Sequence, residues 1–215
     1  MSIKLGKLGV WSFIDEMTAS QAVDFARQLE RWGYSALWIP EAVGRDPFTI
    51  IAHMAAHTDK LIFATGIANI YARDPMLMNA IHRTVSELAP GRFILGLGVS
   101  HAPLVKDLRG HEYQKPVTTM RNYLASMQNA FYMAPAATEL APIVLGALRG
   151  NMLKLSAENA GGAHPYFTPP EHTAWARGIL GEKALLCPEQ MLLLETDANR
   201  ARTIARAHTA TYTGL

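Results

Sequence analysis

The sequence predicts an α/β protein of the TIM (β/α)8 type, an incomplete barrel with about seven β/α units present. Short apolar, β-branched runs alternate strictly with amphipathic helical stretches, the pattern of parallel strands joined by right-handed crossovers. Seven such units exceed the common doubly wound sheets and approach the eight-stranded barrel. Helix-start signals punctuate the alternation, with Asp-Pro at Asp46-Pro47 and again at Asp74-Pro75.

Lys7 to Phe13 reads as the first strand. Thr18 and Gln21 form a capping box for a helix whose apolar residues, from Ala22 to Trp32, recur at helical spacing, and Gly33 ends it. Ser35 to Ile39 is the second strand, ending in Pro40-Glu41, and Ile50, Ile51, Met54 and Ala55 form the buried stripe of the next helix. The third strand begins at Leu61, is interrupted by Gly66, and carries Asn69, Tyr71 and Arg73 towards a helix that runs from Pro75 to about Leu88. A glycine inside a strand pattern marks a bulge or a close approach. Arg92 to Ser100 is the fourth strand, followed by a loop with His101, His111 and Tyr113 and a helix from Pro116 to about Phe131. Pro142 to Leu148 is the fifth strand, and a short helix leads to Ala160-Gly161-Gly162-Ala163. His164 to Phe167 is read as the sixth strand, and Thr168 and Glu171 as a capping box. Ala184 to Leu194 holds the seventh, centred near Met191, and Thr196-Asp197 caps a last helix rich in Ala and Arg.

The chain is one domain over residues 1–215, short for a complete barrel of about 250 residues. No eighth strand follows Thr196, so the chain is expected to be a fragment, to be closed by something else, or to stay open between its first and last strands. An open edge between doubly buried strands predicts poor solubility or oligomerisation, a homodimer first of all. Apolar residues at 49% and charged residues at 18% describe an ordinary globular protein. The net charge of +2 is small, and Arg200, Arg202 and Arg206 read as a solvated helix face, so no nucleic-acid partner is expected. Cys187 is the only cysteine, no apolar leader opens the sequence, and no stretch has the length of a membrane span. A cytoplasmic protein is expected.

In such barrels the chemistry sits at the carboxyl ends of the strands. Small residues at the ends of the third, fourth and fifth strands let a planar ring approach backbone amides, or else only relieve crowding. Glu41 reads as a carboxylate among apolar neighbours that could move a proton, or equally as a capping or ion-paired residue. His101 stands where it could bond substrate or cofactor, with an exposed loop position as the alternative. The Gly161-Gly162 doublet reads as a helix-ending turn, or as amides for a phosphate. His53 and His57 lack the Glu of the metalloprotease pattern, and no metal site is expected. P-loop, GxGxxG and GxSxG patterns are absent from the sequence, which argues against kinases, ordinary NAD enzymes and serine hydrolases.

The segments SALWIPEAVGRDPF, ATGIANIYARDP, GRFILGLGVSH, AENAGGAHPYFTPPEHT and LLCPEQMLLLETD resemble the bacterial luciferase-like monooxygenase superfamily, in its branch of F420-dependent oxidoreductases. The resemblance implies an eight-stranded barrel with an insertion before the last strand; neither the insertion nor that strand is found in this sequence. It implies coenzyme F420, with FMN as the alternative, lying over a third-strand bulge at Gly66, Ile67 and Ala68, often with a non-proline cis peptide, and with Asn69 nearby. Gly98, Val99 and Ser100 would face the ring, and Gly161, Gly162 and Ala163 would hold the cofactor phosphate. The usual histidine donor after the second strand is absent, so Glu41 or His101 would act as proton donor towards a small-molecule substrate. An inactive truncated barrel is the remaining reading.

Overall fold

The computed structural model describes residues 3–135 and 137–213. The strands are β1 (Gly9–Trp11), β2 (Ala36–Ile39), β3 (Ile62–Thr65), β4 (Ala68–Asn69), β5 (Phe93–Gly98), β6 (Ile143–Leu145), β7 (Gly162–Ala163) and β8 (Leu185–Leu186). The α-helices are α1 (Ala19–Arg31), α2 (Pro47–Ala55), α3 (Pro75–Leu88), α4 (Pro116–Gln128), α5 (Gly150–Asn159), α6 (Pro170–Leu180) and α7 (Ala198–Thr213), and a π-helical turn covers Leu104–Leu108. None of the described helices is long and apolar enough to cross a membrane.

All strand pairs are parallel and the order is β1-β2-β3-β5-β6-β7-β8, with β4 also paired to β5. β3 and β4 are therefore two halves of one strand position, and seven positions are filled. Among the described residues β1 and β8 do not pair, so the barrel stays open between them.

Period-two alternation explains why these strands are apolar on both faces. Leu37, Ile39, Phe63, Phe93, Leu95 and Leu145 point outward into the layer under the helices. Ala36, Trp38, Ile62, Ala64, Ile94 and Val144 point inward and fill the barrel, joined by Trp11, Leu185 and Cys187. The helix starts follow the local chemistry. Thr18 and Gln21 make both halves of the capping box, and the Asp46 and Asp74 carboxylates accept from first-turn amides of α2 and α3. Asp197 likewise accepts from the Arg200 amide at the head of α7, where Arg200, Arg202 and Arg206 are exposed.

Three expectations need correction. The sixth strand position lies at Gly162–Ala163, not His164–Phe167, because Pro165 has no N–H for a ladder and His164 turns into the barrel. The seventh lies at Leu185–Leu186, since Pro188 ends the pairing and Met191 to Leu194 run out exposed. The Thr168 capping box is not formed: α6 takes Pro169 as N-cap, which moves Glu171 to the second helical position, out of capping register.

Candidate active site

The carboxyl ends of β3, β5 and β6 meet around a bulge at Gly66-Ile67, whose peptide bond is cis. Below it, Phe63 and Ala64 pair with Phe93 and Ile94; above it, Ala68 and Asn69 pair with Leu97 and Gly98. Between the two ladders the Thr65 hydroxyl donates to Gly96 O at 2.7 Å and accepts from Gly96 N at 2.9 Å. It thereby satisfies the backbone groups that the bulge would otherwise orphan.

The neighbouring strands grip this bulge from several sides. Trp11 Nε1 donates to Gly66 O at 2.8 Å. Glu41 brackets it: its backbone N–H donates to Ile67 O at 3.2 Å, and its carboxylate accepts from Asn69 N at 2.8 Å. The other Glu41 oxygen takes Arg73 Nη1 at 2.7 Å, with the two side chains only 8% and 11% exposed. Arg73 also pairs with Asp46 and lies over the Phe48 ring. Burial works against the Arg73 charge, and the two carboxylates more than offset it, raising its pKa. Of the two readings of Glu41, the structure shows the ion-paired one: its oxygens are committed to the bulge and to Arg73.

The small rim residues serve the bulge itself. A Cβ on Gly96 would stand 1.9 Å from Thr65 O, and one on Gly98 would stand 2.4 Å from Ile67 Cδ1. Ile67 therefore lies across the glycines of β5 and reaches towards Gly146, half-buried as the floor of the rim. The expectation that a ring meets bare glycine backbone is corrected accordingly: Ile67 covers it. Asn69 is buried, and its Oδ1 accepts from Tyr71 N at 2.9 Å, so it braces the chain instead of facing outward.

Under the bulge, His164 stacks on Trp38 with ring centroids 4.4 Å apart. Its Nδ1 donates to Cys187 O at 2.6 Å, an assignment fixed by the carbonyl, which only accepts. Its Nε2 is buried near Gly66, without a partner among the described residues. Burial holds this imidazole at about 4 and pushes the Cys187 thiol up to about 12. Above the rim, Ser100 adopts φ +57 and turns the chain so that His101 meets Tyr166, with the hydroxyl 2.9 Å from Nε2. The pair joins the ends of β5 and β7 across β6, and burial lowers the His101 pKa. Tyr71, His111 and Tyr113 cluster beside it, and Tyr113 donates to Ser100 O.

A model of the luciferase-like monooxygenase family matches residues 5–184. The chain belongs to that family. A Mycobacterium tuberculosis protein assigned by name as a coenzyme F420-dependent oxidoreductase is 28% identical over 141 residues, 65% of this chain and 40% of its own length. The 5,10-methylenetetrahydromethanopterin reductase of Methanolobus tindarius is 25% identical over 54% of this chain and 36% of its own. Among solved structures, the coenzyme F420-dependent tetrahydromethanopterin reductase of Methanopyrus kandleri superposes with a TM-score of 0.68 at 18% identity, covering 82% of this chain and 60% of that one. This chain thus spans about a third to two fifths of the curated relatives it matches.

Within this luciferase-like chain the sequence-derived residues divide into two groups. Glu41, Gly66, Ile67, Ala68, Asn69, Gly98, Val99, Ser100 and His101 come together at the rim. Gly161 and Gly162 do not join them, although Ala163 pairs with Leu145 in the row that reaches Ala68 through Leu97. The two glycines follow the carboxyl end of α5 and enter the sheet from its opposite side, with Gly161 N donating to Ile143 O at 2.7 Å. Gly162 is required by sheet packing, since a Cβ there would stand 2.0 Å from Leu185 O. Sequence reasoning left Thr65, Tyr166 and the inward-facing His164 without roles. Strand alternation would put His164 and Tyr166, two residues apart, on one face; their different directions follow from the end of β7 at Ala163, which the local sequence does not signal.

Proposed function

We propose that this chain carries the cofactor-binding part of an F420-dependent oxidoreductase that transfers a hydride between reduced deazaflavin and a small organic substrate. The observation that carries the reading is the rim bulge at Gly66-Ile67, bracketed by Glu41 and floored by Ile67, in a chain of the luciferase-like family. A flat ring fits this rim. Its floor is one half-buried aliphatic side chain, and the Tyr71 hydroxyl, in the cluster with His111 and Tyr113, is buried without a partner among the described residues.

When bound, the deazaflavin supplies the hydride. Trp11, Thr65 and Glu41 fix the bulge, so that Ile67 presents one rigid face to the ring. The His101–Tyr166 pair holds the proton that a reduced substrate takes up; burial keeps the imidazole neutral, so the pair passes a proton and stores no charge. Glu41 positions the bulge and leaves proton transfer to that pair. For an anionic tail, the head of α5 replaces the glycine doublet. α1, α2 and α3 are capped by their own side chains, whereas α5, like α4 and α6, begins with no side-chain cap; α5 starts at Arg149, after the carboxyl end of β6 and on the same side of the sheet as the bulge. The protein works in a reducing, cytoplasmic compartment, in keeping with its single cysteine.

Titrating the folded chain with F420 and with FMN, followed by ring fluorescence, tests the reading. Saturable F420 binding is expected, and a folded chain that binds neither cofactor overturns it. The family name and the Pseudomonas putida Baeyer–Villiger monooxygenase solved with FMN (TM-score 0.62, 14% identity, 81% of this chain and 62% of that one) support a second reading, an FMN-dependent monooxygenase. Oxygen consumption with reduced FMN distinguishes the two.

A further inference from the structure

A groove of about 810 Å³ opens beside the rim, between the β1–α1 loop and the β2–α2 loop. Phe13, Ile14, Met17, Phe25, Ala42 and Val43 give it apolar walls. Both loops leave the carboxyl ends of their strands, so the groove shares its side of the sheet with the bulge. Phe13 packs edge-on against Trp11 at 5.0 Å, and Trp11 is the residue that bonds Gly66 O. One aromatic ring thus separates the groove wall from the bulge.

The groove is braced in shape. Asp15 Oδ1 accepts from Arg45 N at 2.6 Å, and the Arg45 guanidinium donates to Met17 O, which ties the two loops together. Gly44 permits this closeness, because a Cβ there would stand 2.0 Å from Asp15 Oδ1. Phe13 at 52% and Val43 at 74% exposure are large apolar surfaces held open to solvent by that brace. The lining contains no Lys, Arg or His; its ionisable groups are Asp15, already bonded to Arg45, and Glu16. The guanidinium groups at its edge, Arg45 on Met17 O and Arg109 on Ala42 O, are engaged by backbone carbonyls. A volume in the small-ligand range, apolar walls and lining side chains without a cation favour an uncharged apolar molecule over an anion.

We propose that this groove is the substrate pocket and that the substrate is an uncharged, largely apolar small molecule. The proposal rests on the redox reading for the word substrate, and on the groove alone for the ligand class. The test uses two fluorescent probes, neutral N-phenyl-1-naphthylamine and anionic anilinonaphthalene sulfonate, with and without F420. The neutral probe is expected to bind once per chain and at least tenfold more tightly than the anion. Val43→Asp and, as a second handle, Phe13→Ser are expected to weaken it at least tenfold, with circular dichroism unchanged. No neutral-probe binding, equal affinity for the anion, or affinity unmoved by either substitution overturns the pocket. Competition between the probe and F420 overturns the substrate role, since the two must bind together. Probe binding that responds to Val43→Asp in a chain that binds no cofactor leaves the pocket standing and removes only the redox reading.

Discussion

Glu41 shows how one side chain can serve a backbone amide and a buried cation at once. Its carboxylate satisfies Asn69 N and Arg73, so Glu41→Ala strands the Arg73 guanidinium against Phe48 with Asp46 as its remaining carboxylate. Breaking such a pair by removing one partner costs about 3 kcal/mol. Thermal or urea unfolding is expected to show that loss, and F420 affinity is expected to fall with it. Glu41→Gln keeps an acceptor for Asn69 N and is expected to recover part of both. If Glu41 were instead the proton donor, Glu41→Gln would bind F420 normally and lose turnover. His164 sets a second expectation at this scale. Its imidazole sits at about 4 in the fold against an ordinary value of 6.5. Between those values the unfolded chain binds a proton that the native chain refuses, so stability falls as pH drops from 6.5 to 4. A shift of that size corresponds to about 3 kcal/mol. The lowered carboxylates Glu30 and Asp46 add losses only below about pH 4.5. Urea unfolding across this range is expected to show the slope in the unsubstituted chain and a shallower one in His164→Gln, where the lowered His82 and His101 still contribute.

At the scale of elements, the bulge separates two kinds of glycine. Gly96 faces a carbonyl, which cannot yield without moving β3, whereas Gly98 faces the end of the Ile67 side chain. Gly96→Ala is therefore expected to destabilise by well over the ~1–3 kcal/mol typical of overpacking, or to abolish folding. Gly98→Ala is expected to stay within that range while displacing Ile67, and so to change F420 affinity more than stability; equal melting losses for the two variants would contradict this account. The same elements show what was legible in the sequence. Thr18, Asp46 and Asp74 were readable because a cap is decided within three residues. The Gly66 interruption was readable because it breaks an apolar run. The short pairings of β7 and β8 were not, since Met191 to Leu194 has the composition of a strand and its exposure depends on Pro188 turning the chain away. The role of Ile67 was hidden for another reason: its contacts with Gly98 and Gly146 join positions that only the sheet order brings together.

The whole molecule is a curved parallel sheet whose terminal strands, β1 and β8, each pair on one side only among the described residues. Interior side chains such as Trp38 and Ile62 are sealed by the strands around them, but among the described residues no strand bridges β1 and β8. Both edges are short, three and two residues, which limits the number of unpaired backbone groups they offer. Apolar side chains follow directly after β8, where Leu192 is 90% and Leu194 103% exposed. An edge strand beside an exposed apolar run favours association over solvation. The chain is therefore expected to sediment as a dimer or larger species at micromolar concentration and to dissociate on dilution. Leu192→Lys combined with Leu194→Lys is expected to shift it towards monomer without altering its circular dichroism, because neither side chain packs on anything in the fold. A monomer that stays monodisperse across the concentration range would mean that the gap between β1 and β8 is tolerated by water, and that the inner packing around Trp38 and His164 is enough to hold the open sheet.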